Sequence, residues 1–168
     1  LILYPGRDYC GEMRVIDIGI MPETIKKNGD GLRVFNDLEA QKFIAERKNN
    51  GHKGSFGKLA VLGGSKGMTG APLLSAKAAL RSGSGLVYLL TAAEIEALTS
   101  VQLQEVVGIP LASKQGVIAE DSLEQIMQFP EKMDLLAAGP GLSSFSSVKT
   151  VIEGVLKNLK LPLVLDAD

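Results

Sequence analysis

The stretch KLAVLGGSKGMTGAPLLSAKAALRSGSGLVYLL, residues 58–90, constrains the fold more than any other part of the chain. A short apolar run is followed by a glycine-rich turn, an alanine-rich segment and a second apolar run. Continuous apolar runs of this length are the mark of strands buried on both faces. The spacing predicts a strand over 58–62, a helix over 70–82 with Thr69 as its N-cap, and a strand over 86–90. Pro72 is tolerated there because first-turn amides lack intrahelical partners. Gly83 and Gly85 end the helix. Strand, helix and strand in this order form a parallel pair with a right-handed crossover.

The rhythm continues downstream. Residues 133–138, MDLLAA, read as a strand stopped by GPG. Residues 147–159 read as a helix, because Val148, Val151, Ile152, Val155 and Leu156 recur at helical spacing. Residues 161–166, LPLVLD, read as a strand with Pro162 at its start. In between, a short strand is expected near Val106 and Val107, ended by Gly108 and Pro110. A short helix through LEQIMQF is expected to be capped by Asp121 or Ser122. Strands alternating with helices predict an α/β fold with a mostly parallel sheet covered on both faces.

The N-terminal part is less regular. Residues 13–18, MRVIDI, have partial strand character, broken by Gly19 and Pro22, and residues 22–31 read as a connector. Asp37 is placed to cap a helix through LEAQKFIAERKNN, with Leu38, Ile44 and Ala45 on its apolar side. A domain boundary is expected between Gly19 and Asn36. The chain begins on LILYPGRDY without methionine and closes on PLVLDAD, so we expect a piece of a longer polypeptide.

Composition narrows the class. The 168 residues, 45% of them hydrophobic, suit one domain of ordinary size. A formal net charge of -1 provides no broad positive field for nucleic acid. The stretch Lys42, Arg47, Lys48, Lys53 and Lys58 is explained mostly by a solvated helix surface, with attraction of a nucleotide as the secondary reading. Cys10 is the one cysteine, so no intrachain disulfide is available, and a reducing, cytoplasmic setting is expected. No run approaches the roughly 20 apolar residues of a membrane span. A lone histidine and a remote cysteine make no metal cluster.

In open parallel sheets ligands bind beyond the carboxyl ends of the strands. GGSKGMTG, GPGLSS and DAD all fall there. In the first, Gly64, Gly67 and Gly70 allow close approach of a ligand, the helix start offers amides to an anion, and Lys66 adds a mobile charge. The competing reading is a turn that merely seats the helix. The glycine spacing matches neither a Walker A loop nor a dinucleotide fingerprint. In GPGLSS, the Gly139–Gly141 path is tight enough for a ring or phosphate to approach its backbone, or it is a plain strand-to-helix turn. Asp166 and Asp168 could bind hydroxyls, orient a hydrated magnesium ion or act as a base; helix capping is the alternative.

Taken together, HKGSFGKLAVLGGSKGMTGAPLLSAKAALRSGSGLV, AAGPGLSS and PLVLDAD resemble the ADP- or ATP-dependent NAD(P)H-hydrate dehydratase family, over roughly residues 45–168. Residues 11–20, GEMRVIDIGI, resemble the last strand of an NAD(P)H-hydrate epimerase domain and its exit. The resemblance implies a three-layer ribokinase-like fold, present without its C-terminal half. It divides the chain into an epimerase tail and linker, 1–25, and the first half of a dehydratase, 26–168. The implied reaction is nucleotide-dependent dehydration of (S)-NAD(P)H hydrate, with ADP or ATP and Mg2+, in a parent that also epimerises the R and S hydrates.

The resemblance places Ala71, Gly141 and Asp166 near the substrate. His52, Lys53 and Gly54 match an opening motif and join Gly64, Lys66, Gly67 and Gly70 as candidates close to phosphate or nucleotide. Ser143 stands where the family commonly has glycine. The family's anion hole and catalytic aspartate, in a GTGD-like motif, belong to a later segment, so the catalytic residue is unassigned and the isolated chain is expected to be inactive. The expected partners are small-molecule nucleotides, the remainder of the parent polypeptide and further copies in a homo-oligomer, with neither nucleic acid nor membrane. The rival readings are a ribokinase-like small-molecule kinase and a non-catalytic structural or interaction fragment.

Overall fold

The computed structural model describes residues 3–29, 37–43, 47, 49–129 and 132–166. The chain forms two compact units, Leu1–Glu46 and Arg47–Asp168. Within the first, a 3-10 turn covers Gly6–Tyr9, α1 covers Pro22–Asn28 and α2 covers Asp37–Gln41. Residues 13–18 form no strand, and Val15, Ile16 and Ile18 are exposed. A strand needs a partner for its backbone groups, and these residues have no ladder hydrogen bonds. The segment read as a connector contains α1, begun by Pro22, whose missing N–H is harmless in the first turn. Ile44 and Ala45 of the expected longer helix lie outside the described residues.

The second unit opens with β1 Lys58–Leu62, α3 Gly70–Arg81, β2 Leu86–Ala92, α4 Ala93–Gln102 and β3 Val107–Leu111. A small antiparallel hairpin follows, pairing β4 Ser113–Lys114 with β5 Val117–Ile118. The unit then continues through α5 Ser122–Met127, β6 Leu135–Ala138, α6 Ser146–Asn158 and β7 Leu163–Leu165. The hairpin apart, the strands form one five-stranded parallel sheet in the order β3-β2-β1-β6-β7.

Strand alternation divides the core in two. Val61, Val87 and Leu89 pack with Leu73 and Ala76 of α3 on one face. Ala60, Leu62, Leu90, Leu136 and Ala138 pack with Ile126 of α5 and with Val148, Val151 and Val155 of α6 on the other. The sheet is therefore covered on both faces, as the alternation of elements predicts. Leu156 is 52% exposed, so the apolar stripe of α6 is narrower than its spacing suggests.

Two departures have physical causes. β3 runs through Gly108 and Pro110 rather than ending at them. It is an edge strand, where a missing donor is tolerated. Gly108 lets α4 approach: a Cβ there would overlap Glu96 Oε1 and lie 2.6 Å from Ser100 Oγ. The helix α4 itself has no counterpart in the sequence pattern, and it seats Ile95 and Thr99 one turn apart in the interior. Among the described residues, no helix is long and apolar enough to cross a membrane.

Candidate functional site

From β1 the chain moves outward through β2 to β3, then resumes at β6 on the other side of β1. The direction of winding therefore reverses between β1 and β6. At such a point the helices that follow the two adjacent strands, here α3 and α6, pack on opposite faces of the sheet, and open α/β sheets bind ligands in the crevice beyond the carboxyl ends of those strands. The loops there are Gly63–Thr69 and Gly139–Phe145, and residue 166 leaves β7 beside the second.

The first loop lies low over the sheet. Gly63, Gly64 and Ser65 are buried, whereas Lys66, Gly67 and Met68 are exposed. The Gly64 N–H donates to the Pro140 carbonyl at 2.9 Å, and Ser65 Oγ donates to the Gly141 carbonyl at 2.8 Å. A Cβ at Gly63 would lie 2.5 Å from the Pro140 oxygen. At Gly64, with φ of +89°, it would lie 2.7 Å from Thr91 Oγ1. A side chain at Gly63 would push the two loops apart, and one at Gly64 would lift the first loop off Thr91 and Ile95. Gly70 and Ala71 are exposed in the first turn of α3, where backbone amides have no helical partner. Thr69 takes the N-cap position, but its side chain makes no capping bond.

The second loop is equally close. Gly141, with φ of +71°, approaches Met68: a Cβ there would lie 2.6 Å from the Met68 carbonyl oxygen. Gly139, with φ of +129°, lies against the backbone of Asp166, whose N–H donates to the Ala138 carbonyl at 2.9 Å. Ser143 has φ of +77°, a left-handed conformation that suits glycine, and its buried Oγ has no hydrogen-bond partner among the described residues.

Gly64, Lys66, Gly67, Gly70, Ala71, Gly141 and Asp166 thus occupy the carboxyl side of the sheet. His52, Lys53 and Gly54 do not join them. They precede β1 and sit at its amino end, and a strand of five residues spans about 16 Å. There His52 Nδ1 accepts the Gly54 N–H at 3.1 Å, and Lys53 lies against Gly85 at the approach to β2. In that position they form the turn that leads into the sheet, away from the loops at its carboxyl ends. Asp168 lies outside the described residues.

Sequence reasoning passed over several neighbours of the crevice. The β4–β5 hairpin turns at Gln115 and Gly116, both at positive φ. Its Gly116 carbonyl accepts the Lys66 N–H at 2.8 Å. On its other side Ser113 Oγ accepts the Ala93 N–H at 2.9 Å and donates to the Glu94 carboxylate. That hydroxyl is the main reason the Glu94 carboxyl is held below its ordinary range; the backbone N–H groups of Glu94 and Gly116 assist, against a smaller opposing effect of burial. The hairpin therefore couples the loop after β1 to the start of α4. Thr91, at the end of β2, is fully buried with no partner for Oγ1 among the described residues. The signal for the hairpin was the Gln115–Gly116 pair just before the apolar Val117–Ile118. Ser65 and Thr91 carry no comparable signal.

Comparison with known proteins fits this arrangement. The pattern of the NAD(P)H-hydrate dehydratase family matches residues 59–168. The bifunctional NAD(P)H-hydrate repair enzyme Nnr of Moorella thermoacetica is 30% identical over 169 aligned residues, which cover 100% of this chain and 32% of that protein. The chain thus spans about a third of the length of the curated relatives it matches. Among solved structures, the ADP/ATP-dependent NAD(P)H-hydrate dehydratase from Bacillus subtilis, co-crystallised with ATP and Mg2+, is 28% identical with a TM-score of 0.63. The similarity covers 79% of this chain and 44% of that one. A ribokinase-like superfamily protein from Enterococcus faecalis, 21% identical, shares the fold with a TM-score of 0.59 over 71% of this chain and 39% of its own. The fold is ribokinase-like, and by the match across its sheet and both crevice loops this chain belongs to the NAD(P)H-hydrate dehydratase family.

Proposed function

We propose that this chain carries the substrate side of an enzyme that dehydrates (S)-NAD(P)H hydrate to NAD(P)H at the expense of ADP or ATP. The observation that carries the reading is the meeting of two family-matched loops, Gly63–Thr69 and Gly139–Phe145, at the reversal point of the sheet. In that reading Ala71, Gly141 and Asp166 contact the hydrated nicotinamide nucleotide. Gly64, Gly67 and Gly70 keep the first loop free of side chains, and Lys66 supplies a positive charge at its exposed tip.

The chemistry asks for positioning and charge stabilisation. Phosphorylation of the ring hydroxyl turns a poor leaving group into a good one, and elimination restores the reduced nicotinamide. Backbone amides at the start of α3 suit an anionic group of either nucleotide. Among the described residues, no three acidic, histidine or cysteine side chains cluster to hold a metal, so these residues supply no ready-made Mg2+ site. The ion fits better as a companion of the nucleotide phosphates, and no step is assigned to it.

We further propose that residues 1–25 are the tail of an epimerase domain with its linker, and that residues 26–168 are the first half of the dehydratase. The names of the relatives, bifunctional repair enzymes about three times as long, support this division. The parent would interconvert the R and S hydrates, work as a cytoplasmic homo-oligomer, and contribute the catalytic aspartate and anion hole from its later segment. The test is recovery of NADH absorbance from the hydrate, with ATP or ADP, by the full-length polypeptide. Accumulation of a stable phosphorylated product without recovery of NADH would assign the crevice to a kinase instead.

A further inference from the structure

We propose that Ser65 is a positioning residue: its hydroxyl locks the turn that presents the Gly141 N–H to the hydrated nicotinamide nucleotide. The proposal rests on the crevice being the substrate cleft. Ser65 is 1% exposed, and its Oγ bond to the Gly141 carbonyl joins residues 76 apart in sequence. Alanine would fill nearly the same space, so packing alone does not call for a hydroxyl at this point.

The turn can be followed peptide by peptide. The Gly139 N–H donates to the Leu62 carbonyl at 3.1 Å. The Pro140 carbonyl accepts the Gly64 N–H, and the Gly141 carbonyl accepts Ser65 Oγ. The Leu142 N–H donates back to the Gly139 carbonyl at 2.9 Å. Of the N–H groups between Gly139 and Leu142, that of Gly141 alone has no partner among the described residues.

Buried backbone N–H groups are nearly always paired, so an unpaired one in so constrained a turn suits a ligand oxygen. Both peptides flanking Gly141 are held by the loop after β1: the preceding one through Gly64, the following one through Ser65. A donor fixed before the ligand arrives needs no reorganisation on binding. Ser65 never needs to touch the substrate to serve it.

The test uses the full-length polypeptide carrying Ser65→Ala, Ser65→Thr or, as a reference, Thr99→Val. Thr99 is also buried, and its Oγ1 donates to the Glu96 carbonyl within α4 at 2.8 Å, beneath a different part of the sheet. Two quantities are read: amide hydrogen exchange over residues 139–142, and KM for the hydrate against KM for ATP. Ser65→Ala is expected to raise both the exchange rate and the hydrate KM about tenfold, the equivalent of one net hydrogen bond, with kcat and the ATP KM within about twofold. Ser65→Thr keeps the hydroxyl and should bring both quantities back toward the parent values. Thr99→Val should move neither. Unchanged exchange in Ser65→Ala overturns the locking role, whatever the activity. Raised exchange with an unchanged hydrate KM overturns the link to the substrate. If the unsubstituted protein turns over no hydrate while Ser65→Ala still loosens the turn, the proposed function fails and takes the substrate link with it.

Discussion

Gly139 and Asp166 meet backbone to backbone: a Cβ on Gly139 would stand 2.8 Å from the Asp166 Cβ and 2.9 Å from the Asp166 carbonyl oxygen. The contact lies between the ends of β6 and β7 and fixes where the chain leaves the sheet beside the crevice. Gly139 also has φ of +129°, which an L side chain rarely adopts. Gly139→Ala therefore meets both backbone strain and overlap. It should destabilise the protein by about 2 kcal/mol or more, read as a fall in the denaturant midpoint at constant slope.

Ser143 presents the opposite case. Its φ of +77° places a residue with a Cβ in left-handed backbone, and its buried hydroxyl has no partner among the described residues. A glycine at this position removes both penalties. Ser143→Gly should stabilise the protein by about 1 kcal/mol, after the greater flexibility of glycine in the unfolded chain is taken into account. A rise in the urea midpoint measures it; a fall would show that the serine has a compensating bond.

The hairpin beside Lys66 leaves a pH signature. Glu94 is held below its ordinary range chiefly by the hydroxyl of Ser113. A carboxylate whose pKa is lower in the folded state contributes stability above its unfolded value, and that contribution disappears as pH falls through the lowered folded value. Ser113→Ala removes the largest cause, so Glu94 should titrate at higher pH in an NMR titration of its side-chain carbon. Glu94→Gln should flatten the acid limb of the stability curve in the same window. An unmoved Glu94 titration in Ser113→Ala would mean that the backbone donors of Glu94 and Gly116 suffice by themselves.

The parts legible in the sequence are those governed by local pattern. KLAVL and LVYLL are strands because parallel strands buried on both faces must be apolar throughout, and both appear where that pattern lies. β3 was obscured because Gly108 and Pro110 resemble terminators, whereas at an edge one costs little and the other admits a helix. The β4–β5 hairpin has two-residue strands, too short for any period to register. His52, Lys53 and Gly54 lie apart from the glycine loop for a topological reason: residues before a parallel strand lie at its amino end, and residues after it at the other. Ser65 was invisible because the partner of its hydroxyl, the Gly141 carbonyl, is supplied by the loop after the neighbouring strand, β6.

Asp166 offers the cleanest separation of binding from folding. Its side chain is exposed and makes no hydrogen bond or ion pair among the described residues; the structural contacts of this residue are made by its backbone and Cβ. Asp166→Asn keeps the shape and removes the charge, so the melting temperature should stay where it is. If the carboxylate contacts a hydroxyl of the hydrated nucleotide, as proposed, the substitution weakens one charge-assisted bond. The hydrate KM in the full-length polypeptide should then rise about tenfold, or about 1.4 kcal/mol, which is the size of one such interaction. A parallel loss of kcat would place the carboxylate in the transition state as well, because an interaction made equally in both states changes KM alone. Unchanged kinetics would remove Asp166 from the cleft and leave Gly141 and Ala71 as its remaining candidates.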